Sequence, residues 1–243
     1  MKKFTLVFIA LFLFFGCSRE ELVSSSSISE GAYALRPELD ENSPMIALTF
    51  DDGPSATTEK ILDLLKENNA RATFCVVGNR IEKYEDTVTR IVTEGNEIAC
   101  HTWSHVQLSK MSEPDAEEQI MEVNEAVKKL TGFEIRFLRP PYGKVNESIL
   151  AAAAAQNNAV VCWSVDTLDW KTKNPSYTLR SIKNGACDGA IILCHDLYKE
   201  TGTAMETAIP WLKKQGYELV TVSELVYYKL GSIEAGALYK SLS

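Results

Sequence analysis

Met45-Ile46-Ala47-Leu48-Thr49-Phe50-Asp51-Asp52-Gly53-Pro54 is an apolar run that ends in two adjacent carboxylates and a Gly-Pro turn. It reads as a β-strand, Met45–Phe50. The next segment, Ala56–Asn69, has Ile61, Leu64 and Leu65 on one face and reads as a helix. The same alternation continues through the chain. Strands are expected at Ala72–Val77, Glu97–Cys100, Arg136–Leu138, Ala159–Val165, Ala190–Cys194 and Glu218–Thr221. Helical segments fall between them at Ile81–Thr93, Ile149–Gln156, Tyr177–Lys183, Ala204–Gln215 and Val222–Tyr228. The longest helix starts at Ser112 as cap, carries Ala116, Ile120, Val123 and Val127 on one stripe, and stops at Gly132. Acidic residues in its first turn and Lys128 and Lys129 in its last suit the helix dipole. Seven βα units without hairpin signals predict an α/β fold, a parallel sheet with helices outside it. At 243 residues the chain suits a single α/β barrel domain, placed at 44–230.

The polar clusters share one location. Asp51-Asp52 follows the first strand, His101 the third, Arg139 the fourth, Asp166 to Trp170 the fifth, and His195 the sixth. Each has a bland reading: Asp51-Asp52 as a turn, His195 as a core histidine, Arg139-Pro140-Pro141-Tyr142-Gly143 as a rigid loop. Together they mark the C-terminal strand ends, where α/β barrels gather catalytic groups. The chain has three histidines, and all lie in these clusters. His101 and His105, four apart, can share a metal if the segment turns like a helix. Two imidazoles and one carboxylate form a three-ligand site with an open position, the catalytic zinc pattern. The remaining carboxylate and His195 could then act as base and acid. Arg139 is a natural fixed cation for orienting a carboxylate.

The N-terminal residues differ in composition. Lys2 and Lys3 precede an apolar stretch from Phe4 to Phe15, so 1–17 reads as a secretory signal. Phe14-Phe15-Gly16-Cys17 resembles a bacterial lipoprotein signal, with Cys17 as the lipidation site. Residues 18–43, with Ser24-Ser25-Ser26-Ser27, read as a Ser-rich tether, and 231–243 as a C-terminal tail. The expected location is therefore outside the cell membrane, anchored to it by lipid and facing the cell wall or periplasm. Net charge is −8 with a pI near 5.1, which leaves no basic face for nucleic acid. A monomer is expected. Beyond Cys17 there are five cysteines, an odd number: Cys75, Cys100, Cys162, Cys187 and Cys194. Neighbours in a strand point to opposite faces, so Cys100 and Cys194 should face away from His101 and His195 and serve in packing.

Five ordered motifs carry a family resemblance: Thr49-Phe50-Asp51-Asp52, His101-Thr102-Trp103-Ser104-His105, Arg139-Pro140-Pro141-Tyr142, Asp166-Thr167-Leu168-Asp169-Trp170 and Leu193-Cys194-His195. From about Pro44 to Leu230 the chain resembles the polysaccharide deacetylases, carbohydrate esterase family four, with the NodB-type domain. The resemblance implies a distorted (β/α) barrel with about seven parallel strands. It implies that Asp52, His101 and His105 hold a divalent metal, zinc first, with cobalt and nickel also suited. By the same match Asp51 is the general base, Arg139 holds it, His195 is the general acid, and Asp169 orients His195. The Tyr142 backbone N–H would stabilise the oxyanion, and Trp170 and Leu193 would line a pocket for the acetyl methyl. The implied reaction is removal of N-acetyl groups from peptidoglycan N-acetylglucosamine or a chitin-type oligomer. O-deacetylation of xylan, or glycan binding without turnover, are the alternatives.

Overall fold

The computed structural model describes residues 35–37 and 39–242. The signal, Cys17 and most of the Ser-rich stretch lie outside the described residues. Nine strands form one sheet: β1 (Met45–Asp51), β2 (Thr73–Val76), β3 (Glu97–Cys100), β4 (Phe137–Leu138), β5 (Ala159–Val161), β6 (Val165–Asp166), β7 (Ala190–His195), β8 (Glu218–Val220) and β9 (Leu238–Tyr239). Their order is β6-β7-β1-β2-β3-β4-β5-β9, with β8 also on β1, and every named pairing is parallel. This is the expected distorted α/β barrel.

The helices are α1 (Ala56–Glu67), α2 (Glu85–Thr93), α3 (Glu113–Thr131), α4 (Glu147–Ala155), α5 (Asp169–Thr172), α6 (Pro175–Gly185), α7 (Lys199–Lys214) and α8 (Val222–Leu230). Sequence signals account for the main boundaries. Ser112 caps α3 through Asp115 N–H, and Gly132 ends it at φ 76, a left-handed position suited to glycine. Ser55 and Thr58 make a reciprocal capping box at the start of α1.

The strands are buried on both faces, and residue parity sorts the two sides. Met45, Ala47, Cys75, Ala99, Phe137, Ala159, Val161 and Ile191 face the barrel interior. Ile46, Leu48, Phe50, Phe74, Ile98, Leu138, Val160 and Ile192 pack outward beneath the helices. Phe50 and Phe74 stack at 5.2 Å, a contact that adds about 0.5–1.5 kcal/mol to their burial. Cys100 and Cys194 belong to the outer layer, on the other strand face from the histidines beside them. Cys75, Cys100, Cys162 and Cys194 are buried free thiols.

The N-terminal mouth of the barrel is closed. Val222, Leu225 and Val226 of α8 pack into the interior layer. Thr73 and Glu97, the first residues of β2 and β3, receive the start of α8. Glu97 accepts from the Ser223 hydroxyl and from Ser223 N–H at 3.1 Å, and Val222 N–H donates to Thr73 at 2.9 Å. Glu224 accepts from Arg36 Nε at 2.9 Å and from Arg71 at 3.1 Å. Arg36 belongs to the stretch read as a tether, and here it is docked on the domain.

Four elements differ from the sequence expectation. The fifth strand divides into β5, paired with β4 and β9, and β6, paired with β7. The tail after Gly231 contributes β9, and Leu242 N–H reaches Gly189 O at 2.9 Å, so this segment spans the gap between β5 and β7. The expected helix at Ile81–Thr93 is one 3-10 turn, Glu82–Tyr84, followed by α2. The helix at Ala204–Gln215 begins earlier, at Lys199, without a side-chain cap to announce it.

Candidate active site

Strand register brings the clusters together. Asp51 lies opposite His195 in the β1–β7 pair, and Cys100 lies opposite Leu138, so His101 and Arg139 leave adjacent strand ends. Asp51, His101, Arg139 and His195 also share the inward parity of the strand residues below them. The result is a cavity of about 380 Å3 at the C-terminal mouth. It is lined by Asp51, Asp52, His101, His105, Tyr142, Trp163, Asp166, Trp170, Leu193, His195 and Tyr198.

Arg139 is completely buried beneath the cavity floor. It donates to Asp51 Oδ1 at 2.8 Å, to Thr49 Oγ1 at 2.6 Å and to the Cys162 carbonyl at 3.1 Å. Burial works to lower the guanidinium pKa, but Asp51 outweighs it and raises the value. A buried pair with this many partners is oriented, and removing either member strands the other's charge.

Asp52, His101 and His105 each present one potential ligand atom, all within 4.8 Å of one another. His101 Nδ1 lies 2.6 Å from the Arg139 carbonyl, which can only accept, so Nδ1 carries the proton and Nε2 keeps a lone pair. Asp52 Oδ1 is 3.4 Å from His101 Nε2 and 3.0 Å from His105 Nε2. Neither contact has hydrogen-bond geometry, and this oxygen is buried without a donor. A buried anionic oxygen with no donor, beside imidazole lone pairs, fits a divalent cation. The donor set suits zinc, cobalt or nickel.

Left-handed backbone makes this convergence possible. Asp52 (φ 72), Thr102 (φ 65) and His105 (φ 53) adopt a conformation that L residues rarely take. Next to Asp52, Gly53 is required by space, because a Cβ there would lie 2.3 Å from the Asp196 carboxylate. Asp196 is fully buried, and its Oδ2 accepts from Thr58 at 2.5 Å. Burial pushes its carboxyl up to about 7, against the Thr58 hydroxyl, which lowers it. Asp196 also accepts from the Ser55 hydroxyl through its carbonyl and donates from N–H to Asp51 O at 3.3 Å. It fastens the Asp51–Ser55 turn to the end of β7.

His195 is held by Asp169. His195 Nδ1 lies 2.8 Å from Asp169 Oδ1, and His195 backbone N–H donates to Oδ2 at 2.7 Å. The Thr201 hydroxyl and the Trp170 N–H also donate to Asp169. Burial works to lower the imidazole pKa, but Asp169 overcomes it and raises the value to about 9. Tyr142 and Trp170 are exposed at the rim, and Leu193 is buried in the wall.

All ten predicted site residues of the domain gather here, because Asp169 and Arg139 contact cavity-lining residues directly. Trp163, Tyr198 and Asp196 were not anticipated. Trp163 continues the inward parity of Ala159 and Val161, a signal readable from the sequence. Tyr198 follows His195 by three residues and has no such signal.

The chain is 42% identical over 188 residues to the peptidoglycan-N-acetylmuramic acid deacetylase PdaC of Bacillus subtilis, covering 77% of this chain and 40% of that protein. It is 42% identical over 186 residues to the peptidoglycan-N-acetylglucosamine deacetylase PgdA of Listeria monocytogenes, covering 76% and 39%. The chain thus spans about two fifths of the length of these curated relatives. Among solved structures, a family 4 acetyl xylan esterase from Clostridium thermocellum, in complex with a cobalt ion, matches with a TM-score of 0.76 and 33% identity, covering 81% of this chain and 98% of that one. The sequence model of the polysaccharide deacetylase family matches residues 38–161, and with the site described above the chain belongs to that family.

Proposed function

We propose that the protein is a metal-dependent hydrolase that removes N-acetyl groups from peptidoglycan, with N-acetylglucosamine units as the leading target. One observation carries this reading: the Asp52, His101 and His105 ligand atoms converge between two oriented pairs, Asp51–Arg139 and His195–Asp169. Asp52, His101 and His105 would hold the cation, with zinc ahead of cobalt and nickel. When bound, the cation supplies Lewis acidity toward the acyl oxygen and the attacking water. Asp51 acts as general base, with Oδ1 kept on Arg139 and Oδ2 left to receive the proton of that water. His195, protonated and with Nδ1 on Asp169, delivers a proton from Nε2 to the leaving nitrogen. Its raised pKa keeps that proton in place at neutral pH. The Tyr142 N–H donates to the oxyanion, and Trp170 and Leu193 receive the acetyl methyl.

The names of the relatives support peptidoglycan as the polymer, and chitin-type oligomers share the same acetamido group. Likeness to an acetyl xylan esterase supports a second reading, O-deacetylation, because ester and amide pass through the same tetrahedral oxyanion. Export with lipidation at Cys17 and action at the cell wall as a monomer complete the proposal. Among the described residues no helix is long and apolar enough to cross a membrane. The proposed membrane attachment rests on the lipoprotein-type signal and acyl chains on Cys17.

The test is acetate release by the full chain from peptidoglycan, chitin oligomers and acetylxylan, with and without a chelator. Chelator-sensitive release from the N-acetylated glycans is expected. Release from acetylxylan alone selects the esterase reading. Tight glycan binding with no acetate under any added divalent metal would replace the hydrolase with a binding protein.

A further inference from the structure

Three carboxylates, Asp51, Asp52 and Asp166, line the cavity together with the rings of Tyr142, Trp163, Trp170 and Tyr198. Such walls disfavour an anionic ligand unless a cation answers it. Arg139 cannot do so, being fully buried and engaged by Asp51, Thr49 and the Cys162 carbonyl. Lys173 stands at the rim instead. Its Nζ lies 5.0 Å above the Tyr198 ring, and that ring lies 6.2 Å from the His195 ring. The ammonium is therefore within the sum of those two spans from the His195 ring, a reach of one or two sugar units.

The backbone at Lys173 is unusual. It ends α5 at φ 44 and ψ 40, left-handed, where a residue other than glycine costs about 1–2 kcal/mol. Its N–H donates at 2.9 Å to the carbonyl of Asp169, the residue that orients His195. Strained backbone of this kind concentrates where function needs it. Here it sets an exposed cation over a cavity-lining ring.

We propose that Lys173, seated on Tyr198, is a specificity-determining residue that receives a carboxylate from the sugar next to the one losing its acetyl group. The inference rests on the deacetylase reading and deepens it. Chitin and acetylxylan backbones carry no such group. In an alternating N-acetylglucosamine–N-acetylmuramic acid strand, every second sugar bears a lactyl ether. Its carboxyl is an anion only when no peptide is amide-linked to it. The preferred substrate is then a glycan strand whose lactyl carboxyl is unsubstituted. The reaction that supplies it is an amide hydrolysis, in which water adds across the lactyl–peptide bond to leave a carboxylate and an amine.

The experiment compares three glycans of equal length: the alternating oligomer with free lactyl carboxylates, the same oligomer as lactyl methylamides, and a neutral chitin oligomer. Affinity is measured by calorimetry at low salt on the full chain, for the wild type, Lys173→Gln and Lys173→Glu, with acetate release in parallel. The wild type should bind the free carboxylate about fivefold more tightly than the methylamide. Lys173→Gln should abolish that preference and Lys173→Glu reverse it, with chitin-oligomer binding unchanged in both. Equal affinity of the wild type for the first two glycans, or a preference that survives Lys173→Gln, overturns the proposal. Carboxylate-dependent binding without acetate release would leave this inference standing and sink the hydrolase reading instead.

Discussion

Both mouths of the barrel bury carboxylates against arginines, but they treat them in opposite ways. At the N-terminal mouth, Glu97 and Glu224 are surrounded by donors from Thr73, Ser223, Thr221, Arg36 and Arg71, and none of their oxygens is left over. At the C-terminal mouth, Asp52 Oδ1, Thr102 Oγ1 and Asp196 Oδ1 are buried without a hydrogen-bond partner. Backbone strain divides the same way. Asp52, Thr102, His105, Tyr142, Leu168 and Lys173 are left-handed, and all belong to the loops of the site. The other two described non-glycine cases, Asn69 and Asn157, are asparagines just past α1 and α4, where this conformation is well tolerated. One mouth is finished as structure. The other keeps open valences and strain for a ligand to satisfy.

The sharpest test of this contrast is Asp51→Asn, which should lower turnover about 100- to 10,000-fold, a general base's share, while cation binding persists. Acetate release alongside a cobalt titration followed by absorption checks both halves. Near-normal turnover would mean that the base is misassigned. At the closed mouth, Glu224→Ala leaves Arg36 and Arg71 without their shared carboxylate and should cost about 3–5 kcal/mol of stability in urea unfolding. Cation affinity of the folded fraction should not move. If it falls, the two mouths are not independent.

Gly53→Ala brings a methyl against the Asp196 carboxylate and should weaken cation affinity about 10–100-fold, as displaced supports of a ligand do. Unchanged affinity would show that the turn yields without cost. The smallest effect concerns His195 in the metal-free protein, where NMR titration should find its pKa near 9. Its folded value lies above the unfolded one, so its stabilising contribution is complete below about pH 6.5 and is lost as pH rises through 9. Asp169→Asn should bring the pKa back toward 6.5. Cation binding should lower it modestly by neutralising Asp52.

Legibility in the sequence followed the range of the interactions. Strands buried on both faces write continuous apolar runs, so the seven expected strands were readable locally, as were the caps Ser112 and Gly132. The site was readable because its residues cluster at strand ends. The division of β5 from β6 was not, since it depends on which neighbours each half meets: β4 and β9 for one, β7 for the other. Strand β9 is two residues in a segment without periodicity, held by a partner some 80 positions earlier. Asp196 was also silent. A buried aspartate beside a histidine looks like any other until the turn it fastens is seen above it.

Docking of Arg36 has a mechanical consequence. The chain enters the domain at the closed mouth, so a pull delivered from ahead of Leu35 meets the Arg36–Glu224 clasp first. The load is borne by a region built only for support, and the ligand geometry at the far end is insulated from it.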